Sequence, residues 1–403
     1  MVTEVNKGYV KYEVGEFPED WNVILIGDSL KFKNGLNKES EYFGYGTPIV
    51  NYMDVFNNHG IRQKNIEGKV FLNREEKNSF SAKKGDVFFT RTSETQEEIG
   101  NSAVLLENID DCVFSGFILR GRPKNNIVLP EYYQYCLTPN YVRNQIISTS
   151  SYTTRALTNG RFLSKVKLII PPTLEEQKSI ATALSDIDEL ITGLEKLISK
   201  KKDVKRGAMQ QLLTPPHKGG KRLPGFSGEW TENKLGEFCK ITTGKLDANA
   251  MVEDGDYRFY TCAKTFYHID NYAFDTEALL VSGNGANVGY IHYYKGKFNA
   301  YQRTYVLDDF KTNIHFMKCL LDKYLAQRID SEKNEGNTPY IKMDTLTEMR
   351  INIPSCKSEQ GLIAKMLFEI DSEITQIELK KEKYQAIKQG MMQELLTGKI
   401  RLV

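Results

Sequence analysis

Little in this chain is concentrated. Its six cysteines (Cys112, Cys136, Cys239, Cys262, Cys319 and Cys356) are scattered, with no C-x-x-C pair and no zinc-like spacing. The five histidines do not cluster with them. These facts exclude a zinc module and point to free thiols in a reducing cytoplasm. Met1 to Lys7 contain no apolar core, so no secretory signal is expected. No run approaches the ~20 apolar residues that a bilayer span needs. Charge of one sign is scarce as well. A formal net charge of +2 excludes a wholly basic, histone-like binder, though not a basic stripe on one face.

Catalytic motifs are also missing. Gly283-Asn284-Gly285-Ala286-Asn287-Val288-Gly289 has the spacing G-x-G-x-x-x-G and no surrounding βαβ unit, so it reads as a tight connection after a strand ending near Ser282. There is no Walker A lysine motif, no Asn/Asp-Pro-Pro-Tyr/Phe motif and no metal-nuclease constellation. His268 and Asp270 are an isolated pair and read as structural. The chain is expected to be non-catalytic, with no metal and no cofactor of its own.

What is present is length and repetition. The 403 residues, 40% hydrophobic and 26% charged, suffice for two or three globular domains. Glu176-Gln177-x-x-Ile180-Ala181-x-x-Leu184-x-x-Ile187-Asp188-x-x-Ile191-Thr192 recurs as Glu359-Gln360-x-x-Ile363-Ala364-x-x-Leu367-x-x-Ile370-Asp371-x-x-Ile374-Thr375. The match resumes, at the same offset, between Gly207-x-Met209-Gln210-x-Leu212-Leu213-Thr214 and Gly390-x-Met392-Gln393-x-Leu395-Leu396-Thr397. A weaker echo links Phe17 to Trp21 with Phe226 to Trp230. The chain is two copies of one unit, a globular segment followed by a long helix.

The helices announce themselves by spacing. After Pro171-Pro172, Thr173 can cap a helix with Glu176 three residues on. Ile180, Leu184, Ile187, Ile191, Leu194 and Ile198 then fall at steps of four and three, a heptad seam. Ile363, Leu367, Ile370, Ile374 and Ile377 repeat it. Each helix should run for about 60 Å and find its partner in the other, antiparallel, as a coiled coil with a pseudo-two-fold axis. The basic residues Lys196, Lys200, Lys201, Lys202, Lys205, Arg206, Lys380, Lys381, Lys383 and Lys388 read as solvated flanks, with phosphate contact or an acidic partner as the alternatives. Gly207 and Gly390 sit at matching places inside helical pattern and suggest close approach by another helix, such as one from a partner protein.

The globular halves mix strands and helices without βαβ regularity, so the fold class is α+β. Asp86–Thr90, Val166–Ile170, Ala278–Val281 and Met349–Pro354 read as strands; Glu131–Leu137 and Ile314–Leu321 read as helices. The boundaries expected are 1–172 for the first domain, 173–214 for the central helix, 215–225 for a linker, 226–354 for the second domain and 355–403 for the C-terminal helix.

Pro171-Pro172 with Glu176-Gln177-x-x-Ile180-Ala181, the matching 353–364 segment, Leu212-Leu213-Thr214, Lys221 to Phe226 and the ending Leu395 to Leu402 resemble the specificity subunits of type I restriction-modification systems. Gly85-Asp86-Val87 and Glu98-Ile99-Gly100 are also similar to that family. Pro215 to Gly220 departs from it by lengthening the junction. The resemblance implies two target-recognition domains, each reading one half of a bipartite, asymmetric double-stranded DNA site, with the helices fixing their separation. Half-sites read from one face lie about 34 Å apart. The resemblance also implies two modification subunits that bind S-adenosylmethionine and methylate adenine, and restriction subunits using ATP and Mg²⁺. The location implied is cytoplasmic, with no membrane contact.

Base edges are read by Arg or Lys on guanine and Asn or Gln on adenine. The candidates in polar loops are Arg91, Thr92, Ser93, Ser150, Ser151, Tyr152, Thr153, Thr154 and Arg155 in the first domain. In the second they are Lys264, Asn284, Asn287, Gln302, Arg303, Asn334, Asn337 and Thr338. A competing reading is a coiled-coil scaffold whose halves bind proteins and carry no DNA specificity.

Overall fold

The structure, a computed structural model, describes residues 8–12, 15–152, 154–332 and 340–402. The chain divides into two compact units, residues 1–194 with 380–403, and residues 195–379. Each unit is a sheet domain together with a stretch of both long helices, because the apolar stripe of each helix end belongs to the core of the adjoining sheet domain.

The first unit is built on a five-stranded sheet. In spatial order its strands are Leu30–Asn34, Ile118–Pro123, Val87–Thr90, Ser102–Leu105 and Gly60–Ile61. Only the last pair is parallel. Val87 and Phe89 point into one core while Phe88 points into another, the alternation of a strand buried on both faces. The larger core takes Tyr132, Tyr133 and Tyr135 from helix Pro130–Cys136, and closes over Ile180, Leu184, Leu395 and Leu396. Strand Lys167–Ile170 pairs with Asn22–Leu25 just before the central helix.

The second unit repeats this plan with different contents. Its six strands run in the order Lys240–Thr243, Thr304–Asp308, Phe274–Ser282, Ile291–Ala300, Tyr257–Tyr260 and Tyr267–Ile269. Leu279 and Val281 pack toward helix Ile314–Ser331, which is longer than its apolar pattern suggested. Arg350–Pro354 pairs with Trp230–Lys234, as the closing strand does in the first unit. Trp21 and Trp230, the two tryptophans, occupy matching cores. Leu213, Ile363, Ala364 and Leu367 complete the second core.

The central helix spans Leu174–Leu212 and the C-terminal helix Lys357–Leu395. Thr173 accepts the Glu176 N–H at 3.2 Å, the cap its spacing called for. Within the second unit Lys202 meets Glu378 at 2.8 Å and Lys205 meets Asp371 at 2.7 Å. Within the first, Asp188 meets Lys388 at 2.6 Å. Rising numbers on one helix face falling numbers on the other, so the pairing is antiparallel in each unit. Several of the flanking lysines are thus cross-helix ion pairs. All remain partly open to solvent, so each contributes on the order of 1 kcal/mol.

Of the seam residues, Ile180, Leu184, Ile187, Ile191, Leu194, Ile198, Ile363, Leu367 and Ile374 are buried. Ile370 and Ile377 are half-buried. A straight helix drifts by about 20° per heptad against a strict seven-residue repeat, which turns such positions toward solvent. Gly207 and Gly390 face open space, so no other part of the described chain approaches them.

What the recurring Glu-Gln pair does is now visible. Glu176 is 1% exposed and accepts from Arg401, whose other bonds go to Asp20 at 2.9 and 3.0 Å. Glu359 is 0% exposed and accepts from Arg222 at 2.7 and 3.1 Å. Gln177 donates to Pro171 O and Ile127 O and accepts from Leu129 N–H. Gln360 donates to Pro354 O and accepts from Thr312 and Asn313. In both copies Glu recruits an arginine from beyond the other helix, and Gln ties the closing strand to a loop. The longer junction at Pro215 to Gly220 is absorbed in a short turn. Lys221 N–H returns to Gln211 O at 2.8 Å, leaving Arg222 in place. Gly398, at φ 71°, makes the sharper turn in the other copy, and a side chain there would collide with Pro18 and Trp21.

Arg401→Ala and Arg222→Ala should each lower stability by roughly 3–5 kcal/mol, since each leaves a carboxylate buried without its cation. Urea unfolding of the variants measures this, and losses under 1 kcal/mol would remove the pairing from its structural role. Leu184→Ala should cost about 2–5 kcal/mol and Ile377→Ala distinctly less, reflecting their burial. Equal losses would contradict the seam described above.

Candidate nucleic-acid interface

In the first unit most of the candidates converge. Thr92–Ser93 pairs with Ala156–Leu157, which pairs in turn with Ser151–Tyr152. Two loops distant in sequence thus form one small three-stranded sheet. Arg91 anchors it through its backbone, donating to Phe117 O and accepting from Thr158 N–H at 3.0 Å. The Arg91 and Thr92 side chains are partly exposed; Ser151, Tyr152, Thr154 and Arg155 are exposed. Arg155 lies 4.0 Å from Glu94, and both remain largely in solvent.

Two candidates are corrected. Ser93 is buried, its hydroxyl donating to Glu98 and accepting from Thr95 N–H, so it holds the turn after its strand. Ser150 donates its hydroxyl to Ile147 O at 2.7 Å and ends the preceding helix. Short hydroxyl side chains bond readily to nearby backbone, so burial takes Ser93 from the surface while half-buried Ser150 commits its donor to the helix end. Thr153 lies outside the described residues.

In the second unit three loops meet around Cys262. Its thiol approaches Asn284 Oδ1 at 3.1 Å, and its carbonyl accepts from Asn287 Nδ2 at 3.0 Å. Gly283 N–H donates to Arg303 O at 2.8 Å, bringing the third loop alongside. Arg303 and Lys264 are exposed, while Asn284 and Asn287 are partly buried in bracing the cluster. Gln302 donates to Asp247 at 2.8 Å. Asn334, Asn337 and Thr338 lie outside the described residues. Sequence reasoning set Cys262 aside as one more free thiol. No local pattern marks it as a hub, because its partners come from two other loops. His292, held neutral by burial, bonds to Ala263 O at 2.9 Å and extends the bracing. The Gly283–Gly289 loop connects two antiparallel strands, and the His268 ring bonds to Gly255 O at 3.0 Å and packs edge-on against Phe266.

These surfaces offer exposed arginine, lysine, tyrosine and hydroxyl groups on braced loops, chemistry suited to base edges and phosphates. Among the described residues no three His, Cys, Asp or Glu side chains gather as around a metal ion, and no helix is long and apolar enough to cross a membrane.

Comparison with known proteins agrees with this arrangement. A family model described as the type I restriction modification DNA specificity domain matches residues 18–205 and again 227–389. The EcoDI specificity subunit of Escherichia coli is 42% identical over 162 residues, which cover 40% of this chain and 35% of that protein. The match thus spans about a third of that relative. The putative MjaX specificity subunit of Methanocaldococcus jannaschii is 26% identical over 98% of this chain and 97% of its own length. The fold is shared with the type I restriction-modification S subunit from M. genitalium, with a TM-score of 0.63 at 17% identity, covering 93% of this chain and 96% of that one. A further likeness, with a TM-score of 0.56 at 16% identity, is to a chain from a type I restriction-modification assembly, covering 97% of this chain and 100% of that one. With one match on each of its two repeats, the chain belongs to the type I restriction-modification DNA specificity family.

Proposed function

We propose that this chain reads a bipartite, asymmetric DNA site, one half with each unit, and performs no reaction itself. The observation that carries the reading is one frame used twice with unlike loops. The Glu-Gln-Arg frame repeats in both units, whereas the loops it carries differ, with Ser151, Tyr152, Thr154 and Arg155 exposed in one and Lys264 and Arg303 in the other. A true homodimer would present the same reader twice and select a palindrome; two unlike readers select two unlike half-sites.

In this reading the paired helices set the spacing between half-sites and dock two modification subunits that bind S-adenosylmethionine and methylate adenine. Gly207 and Gly390, open at matching places, leave room for such a partner's helices. Restriction subunits using ATP and Mg²⁺ complete the complex, which acts in the cytoplasm. The scaffold reading draws no support from a family defined by DNA specificity.

Replacing residues 22–170 with those of another specificity subunit, while keeping Asp20 and Trp21 for Arg401, should change only one half of the target. Sequencing the adenines methylated by the assembled complex tests this. A change in both halves would defeat the modular reading. Arg303→Ala should relax discrimination in the other half by roughly tenfold to a hundredfold, the value of one good base contact. Equal methylation of altered sites by variant and wild type would reject that role.

A further inference from the structure

The sheet of the second unit buries one face against helix Ile314–Ser331. Its other face carries a smaller apolar cluster that includes Tyr260, Leu280 and Phe298. At the margin of that cluster stands Arg258. Its guanidinium carbon lies 4.2 Å from the centre of the Phe266 ring and 4.6 Å from that of Tyr294. Nη1 is 3.4 Å from the Tyr260 hydroxyl. Among the described residues no carboxylate pairs with it. Other half-buried arginines have their donors taken up, Arg122, Arg222 and Arg401 by the carboxylates of Asp86, Glu359 and Glu176, and Arg143 by the carbonyls of Glu97, Ile99 and Gly100.

Two rings that clamp a guanidinium fix its plane and restrict its rotamers. They also leave most of its five N–H donors without acceptors. A fork ordered in this way loses little entropy when it binds, and its planar geometry matches paired acceptors. Such a pair is presented by guanine O6 and N7 in the major groove.

Position supports the same role. Residues 261–266 leave the Arg258 strand and run directly into the braced cluster, through Cys262 to Asn284 and Asn287 and through Ala263 to His292.

We infer that Arg258 is a specificity-determining residue of the second reader, donating its planar fork to a guanine edge in that half-site. This rests on the DNA-reading assignment above. The test compares the complex assembled with wild-type chain, Arg258→Lys and Arg258→Met, the last keeping an apolar stem between the rings. Three measurements are made: the consensus around methylated adenines, the salt dependence of duplex binding, and Tm. Both variants should lose discrimination at one position of one half-site by roughly tenfold or more. The other half-site, the salt slope of the Lys variant and the Tm of the Met variant should stay near wild type. Wild-type discrimination by Arg258→Lys would overturn the inference. So would a uniform loss across sequences with a shallower salt slope, the mark of a phosphate contact. A lowered Tm with an unchanged consensus would reduce Arg258 to a structural staple. Absence of site-specific methylation by the wild-type complex would sink the parent reading, and this inference with it.

Discussion

Two carboxylates closed off from water govern this molecule. Glu176 and Glu359 each begin a long helix at a depth where an ion without a partner costs several kcal/mol. Neither finds its cation nearby. Glu176 takes Arg401 from the far end of the chain, and Glu359 takes Arg222 from the junction. Meeting this demand brings each returning segment onto the start of the opposite helix. The neighbouring glutamines add direction, since each bonds both the closing strand and a distant loop. Once these buried polar groups are satisfied, the surrounding frame has one arrangement, and the loops it carries are free to vary.

Much of that frame was readable in advance. The recurrence of Glu-Gln-x-x-Ile-Ala, the heptad steps and the turn residues at Pro171 and Pro354 mark helices and domain ends through local periodicity and backbone chemistry. The purpose of the motif was not readable, because the partners Arg222 and Arg401 lie far away in sequence and no period connects them. The division of the chain at residues 194 and 379 was hidden for a related reason. A helix that feeds two cores looks like one element from its pattern. Ile370 and Ile377 fit the heptad in sequence and are half-buried in the structure.

The reading surfaces were legible as places and not as contacts. Polarity located the stretches around Ser151 and Asn284. Only the fold shows that Ser93 and Ser150 bond inward, that Thr92 and Tyr152 share a sheet, and that Cys262 braces three loops. Arg258 escaped notice because Tyr257-Arg258-Phe259-Tyr260 looks like an ordinary strand. Its rings arrive from elsewhere. Precision in such sites comes from supporting bonds beneath the exposed groups, and those are long-range facts.

The interleaving of the two units also orders events during synthesis. Residues 195–379 form one uninterrupted stretch, whereas the unit containing the N-terminus includes Leu395, Leu396 and Arg401 in its packing. In chain order the lobe of residues 195–379 therefore has every residue it needs before the other does. The earlier-made lobe must wait, with Glu176 uncompensated and its largest core open beside Leu184, until the last turn of helix emerges. The early-made core around Trp21 is thus completed by late-made residues, Gly398 and Arg401 among them.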